Sequence, residues 1–405
     1  MGNYKIDFMA DKSLIYIANA RMPTEKAHGF QVAKMCEAFA THGLKVLLLA
    51  PKRKNPIKEE LFSYFGIKNN FEIKYLPIID TVGFAGPIGY WLENLTFSFS
   101  VAFFLFSRRS GIFFTPHLSA GHLIPQKSAG FIFTRDIFSG FLASFLKREV
   151  IFEMHDFPKN YLFFWRLALN RMHKIISTNR WKAKRINEVF GISDLKILAA
   201  PNGFDPELFL SNFNKEELRI KLGLPLNKVI ALYAGHLYGW KGADTMAKAA
   251  FLAPEIIFVF VGGTEADLSV FRKKNGGQNN ILIVGHKPPG AIPLYLLAAD
   301  ILVLPNSAKT EESMFGTSPI KLFSYMASGR PIVASDLPSI REIVSEKEVL
   351  FVRPDDPAAI KEGILKIIND PMLYKELSDR AKIKSEEFTW ENRAGKILNW
   401  IEKVI

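Results

Sequence analysis

Residues 306–343 read NSAKTEESMFGTSPIKLFSYMASGRPIVASDLPSIREI, and they follow an apolar run, 301–304, with the length of a buried strand. A short polar loop closes at Thr317 and Ser318. Either hydroxyl can cap a helix that Pro319 opens as its first residue, and that helix is predicted to run to Ser328. Gly329 then supplies a left-handed stop, and 331–335 reads as the next buried strand. At helical spacing Lys321 and Ser324 share one face, while Ile320, Phe323 and Ala327 face the sheet. A helix start at the carboxyl edge of a parallel sheet presents N–H groups and positive dipole potential, which suits a phosphate or diphosphate. Taken alone, the same pattern is also that of an ordinary capped helix in an α/β domain.

Working outward, the whole chain alternates strands and helices. With 405 residues, 48% of them hydrophobic, it is too long for one ordinary domain, and two are expected. The single cysteine, Cys36, excludes an internal disulfide framework and suits a reducing compartment; its spacing with Val32, Met35 and Phe39 makes it a packing residue. No basic-then-apolar signal segment opens the sequence, and Ile6 stands where a myristoylation signal after Gly2 needs Ser or Thr.

The net charge of +12 is unevenly placed: residues 1–200 hold 27 Lys and Arg against 15 Asp and Glu, and residues 201–405 hold 25 of each. The whole excess lies in the first half. Such a half suits an anionic bilayer or a phosphate-bearing acceptor, or is simply a solvated basic face; no zinc-finger spacing, RNA-binding signature or basic heptad supports nucleic acid.

In the first half, 14–18 reads as a strand, NARMPTEKAHG (19–29) as a long loop over a helix start, 30–42 as a helix and 44–50 as the next strand. There is no GxGxxG, so a dehydrogenase-type dinucleotide site is not supported. Residues 86–109, GPIGYWLENLTFSFSVAFFLFSRR, are nearly long enough to span a bilayer, but Glu93, Asn94 and the Ser and Thr residues point to a buried or membrane-surface helix. The segment 113–126, with His117 and His122, has no clear period and carries no metal assignment. Runs 131–134 and 150–153 read as strands, the second leading into His155 and Asp156 at a strand's carboxyl end, where ligands of open α/β sheets gather. Strand 174–178, helix 180–190 and strand 196–200 follow, then the turn PNGFDPELF and a polar separator, 211–227.

The second half repeats one device: strands 229–234, 256–261 and 281–284 each run into a glycine-bearing loop, GHLYGWKG, GGTEAD and GHKPPG. Such loops at one edge build a phosphate and nucleoside pocket from backbone amides, and Lys241 is the cation placed to neutralise a diphosphate there; a surface lysine is the alternative. The tail from Pro357 reads as helical throughout, with Trp390 and Trp400 flanking the last helix.

MPTEKAHG and EMHD in the first half, and YAG(x)5KG, VGG, VGH, AADILVLPN, SPIKLFSYMASGRPIVASDLP and REIV in the second, resemble the family-four glycosyltransferases, the glycosyl transferases group 1 type. The resemblance implies a GT-B fold: two Rossmann-like domains with parallel sheets facing across a cleft that would hold the active site. Residues 1–203 would bind acceptor, with a terminal helix 388–405 packing back on them, and 204–387 would bind the nucleotide-sugar. It further implies a retaining enzyme that needs no metal ion and no cofactor, and that moves a sugar from a UDP- or GDP-linked donor to a glycan or lipid-linked acceptor. Cell-surface polysaccharide or glycolipid synthesis, at the cytoplasmic face of a membrane, is the setting it suggests.

Carried over by residue, the resemblance makes His155 and Lys241 catalytic. Gly29, His236, Gly263, Gly285, His286, Thr317, Ser318, Lys321 and Ser324 would bind donor, and His28 acceptor. Two departures stand out. The family's pair of glutamates falls at Gly316 and Ser324, and His236 stands where arginine is common. A serine cannot hold ribose hydroxyls as a carboxylate does, a loss of roughly 1.5–3 kcal/mol for a charged hydrogen bond. The departures keep open a GT-B protein that binds a nucleotide or glycan without transfer, and an epimerase of nucleotide-sugars is a third chemistry for the fold.

Overall fold

The computed structural model describes residues 12–81, 86–110, 130–146, 149–210, 212–237 and 239–402; the segment 113–126 with its two histidines lies outside the described residues. Two compact units are present, Met1–Ala200 with Arg393–Ile405, and Pro201–Asn392.

The first unit is built on β1 (Ser13–Ile17), β2 (Lys45–Pro51), β3 (Glu72–Leu76), β4 (Phe131–Thr134), β5 (Glu149–Met154), β6 (Lys174–Ser177) and β7 (Ile197–Ala199). They form one sheet in the order β3-β2-β1-β4-β5-β6-β7, and its pairings are parallel. The order reverses between β1 and β4, opening a crevice at their carboxyl ends. Its core joins Ile15, Ile17, Leu47, Leu49, Ile132, Val150 and Phe152 of the strands to Phe97, Val101 and Leu105. These last three, at a spacing of four, are the buried stripe of one long helix, Gly86–Ser110. No described helix is long and apolar enough to cross a membrane.

The second unit repeats the plan with β8 (Val229–Ala234), β9 (Ile256–Val261), β10 (Ile281–Gly285), β11 (Ile301–Leu304), β12 (Ile332–Ser335) and β13 (Leu350–Val352), in the order β10-β9-β8-β11-β12-β13. Its pairings are parallel too, and the switch falls between β8 and β11. Continuous apolar strands are what such a sheet needs, because helices cover both faces. Accordingly Ile230, Leu232 and Ala234 pack on one side with Leu322 and Phe323, and Ala231 and Tyr233 on the other with Ile360 and Ile364.

Three local readings change. The stretch 211–227 is not a bare separator: it holds a helix, Lys215–Leu222, closed by a reciprocal cap between Asn214 and Glu217. Arg219 of that helix is buried and paired with Asp300 at 2.5 Å, and Lys215 reaches the same carboxylate at 2.8 Å, so a sequence polar in composition is anchored by ion pairs that composition does not reveal. The helix after the 306–319 loop runs Ile320–Ala327, with Pro319 as its N-cap residue and no side-chain cap. Both expected capping hydroxyls are engaged elsewhere. Thr317 Oγ1 donates to the carbonyls of Glu312 and Ser313, both at 3.0 Å, while Ser318 Oγ accepts from Asn202 N at 3.1 Å. Gly329, at φ +64°, is the left-handed stop expected. Strands β3 and β13, and the helix Leu61–Phe65, are additions to the elements read from sequence.

Candidate functional site

In the second unit the loops after β8, β9 and β10 interlock through backbone: Gly235 N donates to Val261 O and Gly262 N to Gly285 O, each at 2.8 Å. Gly262 has φ +114°, and a Cβ on it would lie 2.5 Å from the Gly235 carbonyl oxygen, so only glycine permits this approach. The loop after β8 docks as closely on the loop after β11. A Cβ on Gly242, at φ +78°, would overlap the Pro305 carbonyl, and Ser307 N donates to Trp240 O at 3.0 Å.

This docking sets Lys241 and Lys321 on either side of the switch point. Lys241 Nζ lies 3.7 Å from the centre of the Trp240 ring; Lys321 Nζ donates to Tyr233 Oη at 3.0 Å and lies 4.1 Å from that ring's centre. Burial disfavours both ammonium charges. It brings Lys241 down to about 8, against the pull of Glu312, and Lys321 well below the usual lysine range, with Lys241's charge adding to the fall. Two desolvated lysines, near enough that the charge of Lys241 disfavours that of Lys321, stand by a helix start that no side chain caps, an arrangement suited to an anion.

The other expected donor residues lie on these loops and on the helix that follows β11. His236, in the loop after β8, is half-buried with Nδ1 3.8 Å from Asp267 Oδ2; burial lowers its pKa, so it is not the fixed cation an arginine would be. Gly263 follows β9 at φ +92°, Gly285 ends β10 at φ +82°, and His286 beside it is exposed. Thr317 and Ser318 are tied by their hydroxyls, so their backbone is held at the helix approach while their side chains are occupied. Ser324 lies on the same helix as Lys321, one turn on and half-buried.

In the first unit, β5 carries a charged network that a strand pattern alone conceals. Glu153, 1% exposed, pairs with His155 Nε2 and with Arg393 of the terminal helix at 3.1 Å. Gln31 Nε2 stands 3.5 Å from His155 Nε2, and Arg135 Nη1 donates to Gln31 Oε1 at 3.0 Å. Burial first, then the Arg135 charge, pushes His155 down to about 3, while Arg393 and His155 hold Glu153 well below the usual carboxylate range despite its burial. The His155 ring is therefore neutral near pH 7, and its Nε2–H donates to Glu153. His28, in the first turn of helix Ala27–Thr41, is brought to about 4 by burial and by Arg135. Gly29 beside it is needed for packing, since a Cβ there would overlap the Thr24 methyl.

Glu153, Arg393, Arg135 and Gln31 are therefore members of the network around the candidate residue His155 that sequence reading missed. Glu153 looked like one more strand position, and Arg393 lies 240 residues from it in the chain. Among the described residues no group of three or more His, Cys, Asp or Glu could hold a metal ion.

Residues 214–384 match the family model described as glycosyl transferases group 1. The putative teichuronic acid biosynthesis glycosyltransferase TuaC of Bacillus subtilis is 27% identical over 191 residues, 44% of this chain and 45% of that protein. D-inositol 3-phosphate glycosyltransferase 1 of Catenulispora acidiphila is 25% identical over 241 residues, 56% of each. The chain thus spans about half the length of the curated relatives it matches. The crystal structure of Anabaena HepE in complex with UDP and glucose superposes with a TM-score of 0.71 at 16% identity, over 96% of this chain and 99% of that one.

Proposed function

We propose that this chain, which has the GT-B fold and matches the glycosyl transferases group 1 model over residues 214–384, is a retaining, metal-independent glycosyltransferase that uses a nucleotide-diphosphate sugar. The observation that carries the reading is the pairing of Lys241 and Lys321, both desolvated, at the carboxyl ends of β8 and β11 beside an uncapped helix start. The UDP bound by HepE and the glycosyltransferase relatives support the same class of donor.

In the proposed reaction the bond between the sugar's anomeric carbon and the diphosphate breaks, with its electron pair leaving on the nucleoside diphosphate. An acceptor hydroxyl forms the new bond from the face of departure and gives its proton to the departing diphosphate oxygen. Lys241, Lys321 and the N–H groups at Ile320 stabilise the departing charge more than the ground state, which lowers the barrier. The neutral His155 of the first unit contacts the transferred sugar as a hydrogen-bonding group rather than a neutral-pH base, and His28 and Gly29 line the acceptor and diphosphate side. The acceptor is a glycan or lipid-linked glycan of cell-surface polysaccharide or glycolipid synthesis.

Peripheral contact with the cytoplasmic face of an anionic membrane belongs to this reading. Besides the +12 charge of residues 1–200, helix Gly86–Ser110 leaves Ile88, Leu92, Leu95, Phe99, Phe103 and Phe106 on its outer side, with Phe103 72% exposed.

The test is a thermal-shift panel of UDP, GDP, ADP and their sugar conjugates, followed by product analysis. A ligand at a hundred times its Kd stabilises by about 2.7 kcal/mol, and the product's anomeric configuration, with and without chelator, tests retention and metal independence. Absence of a shift with every nucleotide would sink the donor assignment. One observation favours a second reading: Ser324 puts no carboxylate on the helix beside Lys321, which suits a binder that does not transfer. Nucleotide affinity without turnover would select it.

A further inference from the structure

The chain enters the second unit at Pro201 and leaves it after Asn392, and the two connecting segments run together inside that unit. Phe204 N donates to Phe388 O at 3.0 Å and Trp390 N to Phe204 O at 3.2 Å, which makes a parallel bridge between Phe204 and Thr389. Gly203 permits the approach. A Cβ on it would lie 2.8 Å from the Phe388 carbonyl oxygen and 2.9 Å from Trp390 N, both backbone atoms that cannot swing aside.

This laced pair is fastened to helix Ile320–Ala327 at two points. In the middle of the helix the Phe323 ring packs on the Phe388 ring with centres 5.0 Å apart, and Phe204 is buried in the same core. At its start Asn202 holds Ser318 twice: Asn202 N donates to Ser318 Oγ at 3.1 Å and Asn202 Nδ2 to Ser318 O at 2.9 Å. Asn202 is only 6% exposed, so these bonds are shielded from competing water. Their effect falls on the helix start. A serine hydroxyl so close to the first turn is a ready cap, but the bond from Asn202 N holds it elsewhere. Thr317 Oγ1 is likewise committed, to the carbonyls of Glu312 and Ser313 in the single π-turn Glu312–Gly316, and no side chain caps the helix. The Asn202 amide also fixes the Ser318 carbonyl, whose oxygen would repel a phosphate, on a donor of its own.

We propose that Asn202 is a positioning residue of the diphosphate site and couples that site to the segments joining the two units. By fixing both the hydroxyl and the carbonyl of Ser318 it keeps the N–H groups at Ile320 open to an anion, and it passes the ordering of that helix start to Phe204 and Trp390. The inference rests on the donor-site reading, which supplies the anion.

The test uses the full chain and inorganic pyrophosphate. Calorimetry should give weaker binding for Asn202→Ala by roughly threefold to tenfold, the range of one neutral hydrogen bond. Asn202→Asp should weaken it further, since its carboxylate cannot donate to the Ser318 carbonyl and repels the anion. Unchanged affinity in both variants would overturn the positioning role. Hydrogen exchange at saturating pyrophosphate is the readout that a merely structural residue would not move. In wild type, binding should protect the amides of Ile320 and Lys321 and also those of Phe204 and Trp390. In Asn202→Asp, which keeps the size of the side chain, the first gain should remain and the second be largely lost. An equal gain at Phe204 and Trp390 in wild type and variant, or none in wild type, would overturn the coupling. If wild type binds no pyrophosphate, the donor reading falls and this inference with it; binding without the coupled protection overturns this inference alone.

Discussion

Lys241 is a lysine whose charge is conditional. With its pKa near 8 it is mostly protonated at pH 7, and a bound diphosphate favours the charged form further. Nucleotide affinity is therefore expected to be flat below about pH 8 and to decline above it, as calorimetry of UDP against pH would detect. Lys241→Ala should weaken UDP binding by the ~1.5–3 kcal/mol of a charge-assisted hydrogen bond, and should abolish turnover if transfer is the activity. Ser324→Glu should enlarge the thermal shift with UDP if that position faces the ribose; no change would place the ribose elsewhere. His155 makes a different prediction, about stability. Its pKa is about 3 in the fold against 6.5 unfolded, so the partly buried neutral ring contributes fully above pH 6.5. That contribution is lost as pH falls from 6.5 toward 3, because the unfolded chain binds the proton first. His155→Gln should flatten urea-unfolding stability across that window; an unaltered slope would show that His155 is not the group responsible.

At the scale of elements, loop docking and an unusual helix face are the features with consequences. Gly242 permits the contact with Pro305 by having both a left-handed backbone and no Cβ, so Gly242→Ala should destabilise the second unit by at least ~1–3 kcal/mol of backbone strain and also weaken nucleotide binding. Loss of melting temperature without loss of affinity would separate the two effects. Helix Gly86–Ser110 divides its apolar residues between two sides, Phe97, Val101 and Leu105 inward and Phe99, Phe103 and Phe106 outward. Phe99→Ser with Phe103→Ser removes outward area only. It should reduce sedimentation with anionic vesicles at low ionic strength while leaving the melt nearly unchanged, and salt should reverse whatever binding remains. Failure of wild type to bind anionic vesicles would end the membrane reading.

At the scale of the whole molecule, the chain's end completes its beginning. Arg393 is buried against Glu153 and also donates to Ala200 O at 3.3 Å, so the terminal helix from Arg393 to Glu402 belongs to the first unit. Arg393→Ala would leave the buried Glu153 charge with its hydrogen bond from His155 but without its arginine partner, at a cost of up to about 3–5 kcal/mol. Hydrogen exchange should show that loss in the first unit, with the amides of β8 and β11 protected as before.

Much of this molecule is legible in the residues alone, and the reason is local. Strands β4, β8, β9 and β11 and the helix Arg180–Phe190 were bounded correctly by apolar run length and by glycine or polar breaks, because a parallel sheet covered on both faces demands continuous apolar strands. The glycine-bearing loops and Lys241 were visible for the same reason: each strand ends where its glycine stands. Tertiary structure decided what depends on distant partners. Thr317 and Ser318 bond a π-turn and Asn202 instead of capping a helix; the separator at 211–227 is fastened through Arg219 and Asp300; and Glu153 is charged because Arg393 reaches it. The order of strands, and with it the switch points that set Lys241 beside Lys321, likewise follows from which hydrophobic faces pack together. Periodicity is a property of neighbours along the chain, whereas desolvation and charge pairing belong to neighbours in space, and only folding brings those together.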